Sequence, residues 1–256
     1  MRTIIAVFRL ATPSNILGLL WFFVALSFYK IFGIKLLNGI SLTFRDISLY
    51  LRPDFPSGIR FIKELISDNV YRNFHTLPHT GETILLDVGA NIGLVSLDRC
   101  LHNPRLRAYC FEPHPGTFSL LRINVEINQL SDRISVYNYA VSDHTGTIAI
   151  IANSQGNMAK TVEPHEPSTP DTIPVSCWTL DAFCSLHHIK PTYLKVDVEG
   201  HESAVLTGAK SVLNDISEVI VECHSEQLTL ACKQLLTDHG FTISYASGLM
   251  LGRKAA

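Results

Sequence analysis

The stretch Ile84-Leu-Leu-Asp-Val-Gly-Ala-Asn-Ile-Gly-Leu-Val-Ser96 constrains the fold of this chain more than any other. Ile84 to Val88 reads as a buried strand, because a near-continuous apolar run of that length fits a parallel strand covered on both faces. Gly89 and Gly93 then remove side chains where the backbone must turn sharply and let a ligand approach, and a helix follows. This is the nucleotide end of a Rossmann-like unit. The spacing Asp-x-Gly-x-Asn-x-Gly is not the dinucleotide fingerprint, and the carboxylate of Asp87 stands where a pyrophosphate would be repelled.

The next strand, Leu106 to Phe111, ends in Glu112, 23 positions after Gly89. That is close to the roughly 20 expected between a glycine turn and the acidic residue that takes ribose hydroxyls. Glu112 could equally cap the helix that Pro113 and Pro115 would start. Carboxylates at both strand tips suit a ligand carrying an ammonium group and a ribose, which points to S-adenosylmethionine (SAM). On this reading Asp87 meets the methionine amine, directly or through water. The backbone of Gly89 to Gly93 packs against the methionyl and ribose portion with Asn91 nearby, Glu112 takes the ribose and His114 lies beside the adenine. Ala140 to Ser142 flank the adenine on its other side, although Ser142 could simply begin a turn through Asp143.

Strands and helices alternate along most of the chain, which specifies a mostly parallel, doubly wound sheet. Helices are expected over Ile59–Val70, Asn91–His102, Pro115–Asn128 and Ser225–His239, with another starting after Thr179. Strands are expected at Ser41–Leu51, Ile134–Val141, Thr192–Asp197 and Val219–Cys223. Phe241–Tyr245 and Leu249–Arg253 read as a terminal antiparallel pair. Thr147–Ile151 and Thr172–Cys177 read as a hairpin-like insertion, and the polar, proline-rich 153–171 segment between them as a mobile loop.

Charge excludes one class of substrate. The 21 basic and 23 acidic residues nearly balance without a basic run, so a nucleic-acid partner is not expected. The six cysteines form no Cys-x-x-Cys pair or zinc spacing, and a reduced, cytoplasmic setting follows. Residues 1–40 are set apart as a hydrophobic N-terminal extension to a 41–256 domain. Twenty residues between Arg9 and Lys30 carry no formal charge, which leaves a packed helix and a membrane-associated one both open.

Together the glycine turn, Glu112-Pro-His-Pro, Ala140-Val-Ser-Asp143, Thr179-Leu-Asp181 and Lys195-Val-Asp-Val-Glu-Gly-His-Glu202 resemble the FkbM family of SAM-dependent methyltransferases, from about Ile47 to Phe241. The resemblance implies a class I methyltransferase fold with a seven-stranded sheet. It also implies methyl transfer to a hydroxyl oxygen, often on a saccharide or secondary metabolite. His201 departs from the small or apolar residue usual at its position, and a solvated surface role is expected for it.

In such a sheet, ligands bind beyond the carboxyl ends of the strands. Asp87, Glu112, Asp197 and Glu222 all lie at such ends. An alcohol must lose its proton to become a good nucleophile, so a base or a metal-bound alkoxide is required. Asp197 is the first candidate for base or substrate contact, with Glu199 and His224 next. Glu199 and Glu202 also suit the start of the following helix. Lys195 is read either as a partner for a carboxylate or as orienting substrate. A divalent metal is left unassigned, since no ligand spacing specifies one. A catalytically silent SAM-binding scaffold docked on a membrane complex is the alternative reading, and a nicotinamide dehydrogenase is disfavoured by Asp87.

Overall fold

The computed structural model describes residues 13–54, 83–151, 160–162 and 172–254. The expected helix over 59–70 lies outside them. Five parallel strands form the centre of the main sheet: β3 (Thr83–Val88), β4 (Leu106–Phe111), β5 (Ile134–Tyr137), β10 (Tyr193–Val196) and β11 (Glu218–Val221). Antiparallel β12 (Thr242–Ala246) and β13 (Leu249–Arg253) complete a seven-stranded sheet ordered β12-β13-β11-β10-β3-β4-β5. β3 lies between β4 and β10, so the chain crosses to both sides of it and opens a crevice at its carboxyl end.

Both faces of the sheet are buried, which explains the unbroken apolar strands. On one face Leu85, Ala108 and Cys110 pack with α2 (Leu94–His102) and α3 (Pro115–Ile127). On the other, Leu86, Val88, Leu194, Val196 and Val221 meet α4 (Leu180–His187), α5 (Glu202–Thr207) and α6 (Glu226–Asp238). Three helices start where a side chain takes an orphan backbone N–H: His114 accepts from Thr117, Thr179 from Ala182 and Ser225 from Leu228.

The segment 41–51 is not the single strand expected. It is a hairpin, β1 (Ile40–Phe44) against β2 (Ile47–Leu51), turned through Arg45 and Asp46 with Arg45 at φ 57°. Ile40–Leu51 lacks the Asn-Gly or Asp-Gly signal that marks a two-residue turn in sequence. Asn124 of α3 and Asn128 just after it accept from the backbone N–H groups of Tyr50 and Ser48 in β2, at 2.7 and 2.9 Å. Packed on this hairpin is α1 (Ile16–Phe32), whose Asn15 donates to the Thr43 carbonyl at 2.9 Å.

The expected strand over 134–141 is also two elements. β5 stops at Tyr137, where Asn138 donates its amide to the carbonyls of Glu112 and Pro113, each at 2.9 Å. The chain then enters a smaller sheet, ordered β6 (Ala140–Val141), β9 (Thr172–Trp178), β7 (Gly146–Ile151) and β8 (Lys160–Val162). The pairing of β7 with β9 is the insertion read from sequence. β8 interrupts the segment expected to be wholly loop.

Candidate active site

Parallel strands in register bring their carboxyl ends to one edge, so Gly89, Glu112, Asp197 and Glu222 share it. The turn after β3 is bound to its neighbour: the N–H groups of Gly89 and Ala90 both donate to the Phe111 carbonyl at 3.0 Å. Gly89 has φ 74°, and a Cβ there would lie 1.8 Å from the Asp197 carbonyl oxygen. Gly93, at φ 91°, makes room instead for Leu121 of α3, 2.6 Å from where its Cβ would be. Its small size therefore serves the packing of α2 on α3 as well as the turn.

Glu112 is held from two sides. Its Oε2 accepts from the N–H of Asn91 and its Oε1 from that of His114, at 3.0 and 2.9 Å. Asn91 adopts a left-handed conformation (φ 51°), and its side chain accepts from the next N–H. The carboxylate thus ties the glycine turn to the start of α3. Burial, opposed by those two donors, raises the Glu112 carboxyl to about 7. Each oxygen keeps a further lone pair for a ligand hydroxyl.

Two expected cofactor residues stand elsewhere. Asp87 is wholly buried on the α2 face of the sheet, where Ser96 donates to its Oδ2 at 2.6 Å and Lys195 Nζ lies 3.2 Å from its Oδ1. None of its side chain is exposed, which leaves contact with an amine through a water or through Lys195. Ser142 is also fully buried and bonds Asp143 and His201, at 3.1 and 2.9 Å. That bond makes His201 a half-buried link between the smaller sheet and α5, not a solvated residue. The ring of His114 is taken up partly by its capping bond to Thr117.

Lys195 follows the carboxylate-pairing reading. Its buried ammonium donates to the Gly89 carbonyl at 2.7 Å, beside Asp87 and 3.7 Å from Asp197. The ammonium has three donors, and with one on the carbonyl it still faces Asp87 Oδ1 at 3.2 Å as a charge-assisted partner.

Asp197, Glu199 and His224 do converge: one ligand-type atom from each lies within 4.8 Å of the others. His224 Nδ1 is 2.7 Å from Glu202 Oε1, and its Nε2 is 3.2 Å from Glu199 and 3.9 Å from Asp197. Hydrogen bonds to Glu199 and then Glu202 raise His224 to about 11. Those two ion pairs favour the imidazolium at neutral pH, and a cation held by this group would have to displace its proton. Burial, opposed by Lys195, raises Asp197 to about 6, close to what a working base requires. Glu202, which also suits a helix start, is fully buried beneath His224, and among the described residues its Oε2 has no hydrogen-bond partner. Its place three residues after Glu199, on a turn with Glu199 and Gly200 at positive φ, is what folds both carboxylates onto one imidazole.

The His224 geometry has a pH consequence. A folded-state value of about 11 against an ordinary 6.5 contributes stability fully present below pH 6.5 and lost as pH rises toward 11. The melting temperature of the wild-type chain is expected to fall over that window, and that of His224→Gln to fall less. Parallel pH profiles of the two melts would exclude this ion-pair network.

Around the crevice stand Glu112, Asp197, Glu199 and Glu222, with Lys195 and His224 as the facing cations and Glu202 buried behind His224. Such a rim suits a cationic ligand and opposes a phosphate.

The model of the methyltransferase FkbM domain matches residues 87–243. Hexuronic acid methyltransferase AglP of Haloferax volcanii is 31% identical over 150 residues, 56% of this chain and 57% of that protein. The chain therefore spans little more than half of AglP. Methyltransferase 1 of Beauveria bassiana is 28% identical, over 82% of this chain and 91% of that protein. The 31-O-demethyl-FK506 methyltransferase FkbM of Streptomyces tacrolimicus is 27% identical, over 71% of this chain and 80% of that protein.

Proposed function

Since the chain belongs to the FkbM methyltransferase family, we propose that it methylates a hydroxyl oxygen of a saccharide or a hydroxylated secondary metabolite, with Asp197 receiving the proton. SAM is the cofactor, and when bound it supplies the transferable methyl. The residues present fit it. The acidic rim accommodates a sulfonium and an ammonium, and Glu112 offers acceptors for a ribose. Backbone at Gly89 to Asn91 carries the contact to the methionyl portion, while Asp87 acts through Lys195 by fixing the Gly89 carbonyl.

The observation that carries the proposal is the division of labour between Asp197 and His224. His224 sits between Glu199 and Glu202 at 3.2 and 2.7 Å, which favours its protonated form, whereas burial near Lys195 raises the Asp197 carboxyl to about 6, near what a base requires. The acceptor oxygen would form its bond to the methyl carbon as the sulfur–carbon bond breaks, and its proton would pass to the Asp197 carboxylate. His224, between Glu199 and Glu202, keeps the neighbouring charge partly balanced and fixes the loop that bears Glu199. The names of relatives, one a hexuronic acid methyltransferase and one a 31-O-demethyl-FK506 methyltransferase, support a hydroxylated acceptor.

The test is transfer of radiolabelled methyl from SAM by the purified full chain into cell extract, separated into glycan, lipid, small-molecule, protein and nucleic-acid fractions. Label is expected in glycan, lipid-linked glycan or hydroxylated small molecules. Label confined to protein or nucleic acid would overturn the proposal.

Cofactor binding should also be linked to protons. Ribose hydroxyls donate to the ionised form of Glu112, so binding is expected to lower its value from about 7 and release a proton near pH 6–7. Apparent SAM affinity should rise as pH increases through that range. Calorimetry in two buffers of different ionisation enthalpy reads the released proton directly, and Glu112→Gln should abolish it. The same substitution should weaken SAM roughly 10- to 150-fold, the cost of losing charge-assisted hydrogen bonds. Unchanged affinity in the folded variant would place the ribose elsewhere.

A further inference from the structure

Of the fourteen large apolar side chains exposed among the described residues, ten lie between Ile16 and Leu36. Eight of these follow from the sequence of α1, Ile-Leu-Gly-Leu-Leu-Trp-Phe-Phe-Val-Ala-Leu-Ser-Phe-Tyr-Lys-Ile-Phe, which has no polar face. Leu19, Phe22, Ala25 and Leu26 are buried against the body of the protein. The opposite side presents Leu17, Leu20, Trp21, Val24, Phe28 and Ile31. A helix apolar all round needs cover on both sides, and a contiguous patch of this kind marks an interaction surface.

Charge identifies what covers it. The first acidic residue of the chain is Asp46, and the 45 residues before it carry Arg2, Arg9, Lys30, Lys35 and Arg45. The remainder has sixteen basic and twenty-three acidic residues. A second copy docked symmetrically on this face would set like charges against each other. Lys35 is paired with Asp54 at 2.9 Å, and the exposed Lys30 and Arg45 face outward, so an anionic lipid surface meets both the apolar stripe and these cations.

We propose that α1 lies in the interface of a membrane bearing anionic head groups, with its exposed side at the acyl boundary and the neighbouring cations among the phosphates. Its 17 residues make a rod about 25 Å long, and the bond from Asn15 to Thr43 together with the buried stripe holds that rod along the β1–β2 hairpin. It therefore lies in the surface. No helix among the described residues is long and apolar enough to cross a membrane. Trp21, half exposed on the outer side, suits the head-group level, where an indole has both apolar and hydrogen-bonding neighbours.

The test is co-sedimentation of the full chain with phosphatidylcholine vesicles containing one quarter phosphatidylglycerol, and with phosphatidylcholine alone. Binding is expected to be at least tenfold tighter to the anionic vesicles, and to weaken when salt is raised from about 0.05 to 0.5 M. The triple variant Leu20→Glu, Val24→Glu, Phe28→Glu changes only exposed positions. It should lose at least tenfold in vesicle binding while its calorimetric SAM affinity stays that of the wild type. Failure of the wild type to bind either vesicle, or equal binding to both, would overturn the proposal. So would a lipid-free wild-type dimer that the triple variant converts to monomer, since a second copy would then cover the face.

Discussion

Asp197→Asn is expected to lower the rate of methyl transfer by about 10²- to 10⁴-fold, the usual worth of a positioned general base, while SAM affinity changes only a few-fold. Asparagine keeps the shape of the side chain but has no carboxylate to receive the acceptor's proton. The loss should fall on kcat, because the proton moves only as the new carbon–oxygen bond forms. Below pH 6 the wild type should itself slow tenfold per unit as Asp197, raised to about 6 by burial, becomes protonated. The rate of Asp197→Asn should not follow that limb. The measurement is initial rate against pH for both proteins, using the fraction of extract that takes the label. A variant with wild-type kcat would remove Asp197 from the proton's path and leave Glu199 as the carboxylate to test. His224→Gln provides the contrast. Since the ion pairs to Glu199 and Glu202 favour a protonated His224, its loss should disturb the Glu199 loop and alter KM without erasing the acid limb.

The sequence made the edge of the sheet legible but not the directions in which its side chains point. The glycine turn, Glu112 and the carboxylates after β10 follow from the rule that parallel strands deliver their ends to one crevice. Asp87 obeys a different rule. Side chains alternate along a strand, so Asp87 shares the face of Leu85, under α2, and meets Ser96 and Lys195 there. The register of β3 against β10, which sets Lys195 beside Asp87, is a tertiary fact, and the two residues lie more than a hundred positions apart. The same limit hid the partner of Glu202. The spacing of Glu202 suits a helix start, and only the folded loop shows that it and Glu199 share His224. The break between β5 and β6 was invisible because its cause, the reach of Asn138 to two carbonyls of the neighbouring strand's exit, leaves no local mark. The insertion was legible because two β-branched runs flanking a polar loop have few partners but each other.

Gly89→Ala should destabilise the chain by about 2–5 kcal/mol, combining the left-handed penalty of roughly 1–2 kcal/mol with an overpacking cost of about 1–3 kcal/mol. The contact responsible is the approach of two backbones. The N–H of Asp197 donates to the Val88 carbonyl at 3.1 Å, and its own carbonyl then faces Gly89, 1.8 Å from the position of an added Cβ. Backbone on one side and a turn bonded to Phe111 on the other leave no flexible group to give way. Gly240 separates the two costs. It has a comparable φ of 82° but nothing within 4 Å of an added Cβ, so Gly240→Ala should show the conformational penalty alone. Melting temperatures are expected to fall by roughly 5–20 °C for Gly89→Ala and only a few degrees for Gly240→Ala, at about 2–4 °C per kcal/mol for a chain of this size. Equal losses at the two sites would show that β3 and β10 do not approach this closely. Because the group displaced is the backbone of Asp197, Gly89→Ala protein that survives at low temperature should also transfer methyl more slowly than wild type, whereas Gly240→Ala should not.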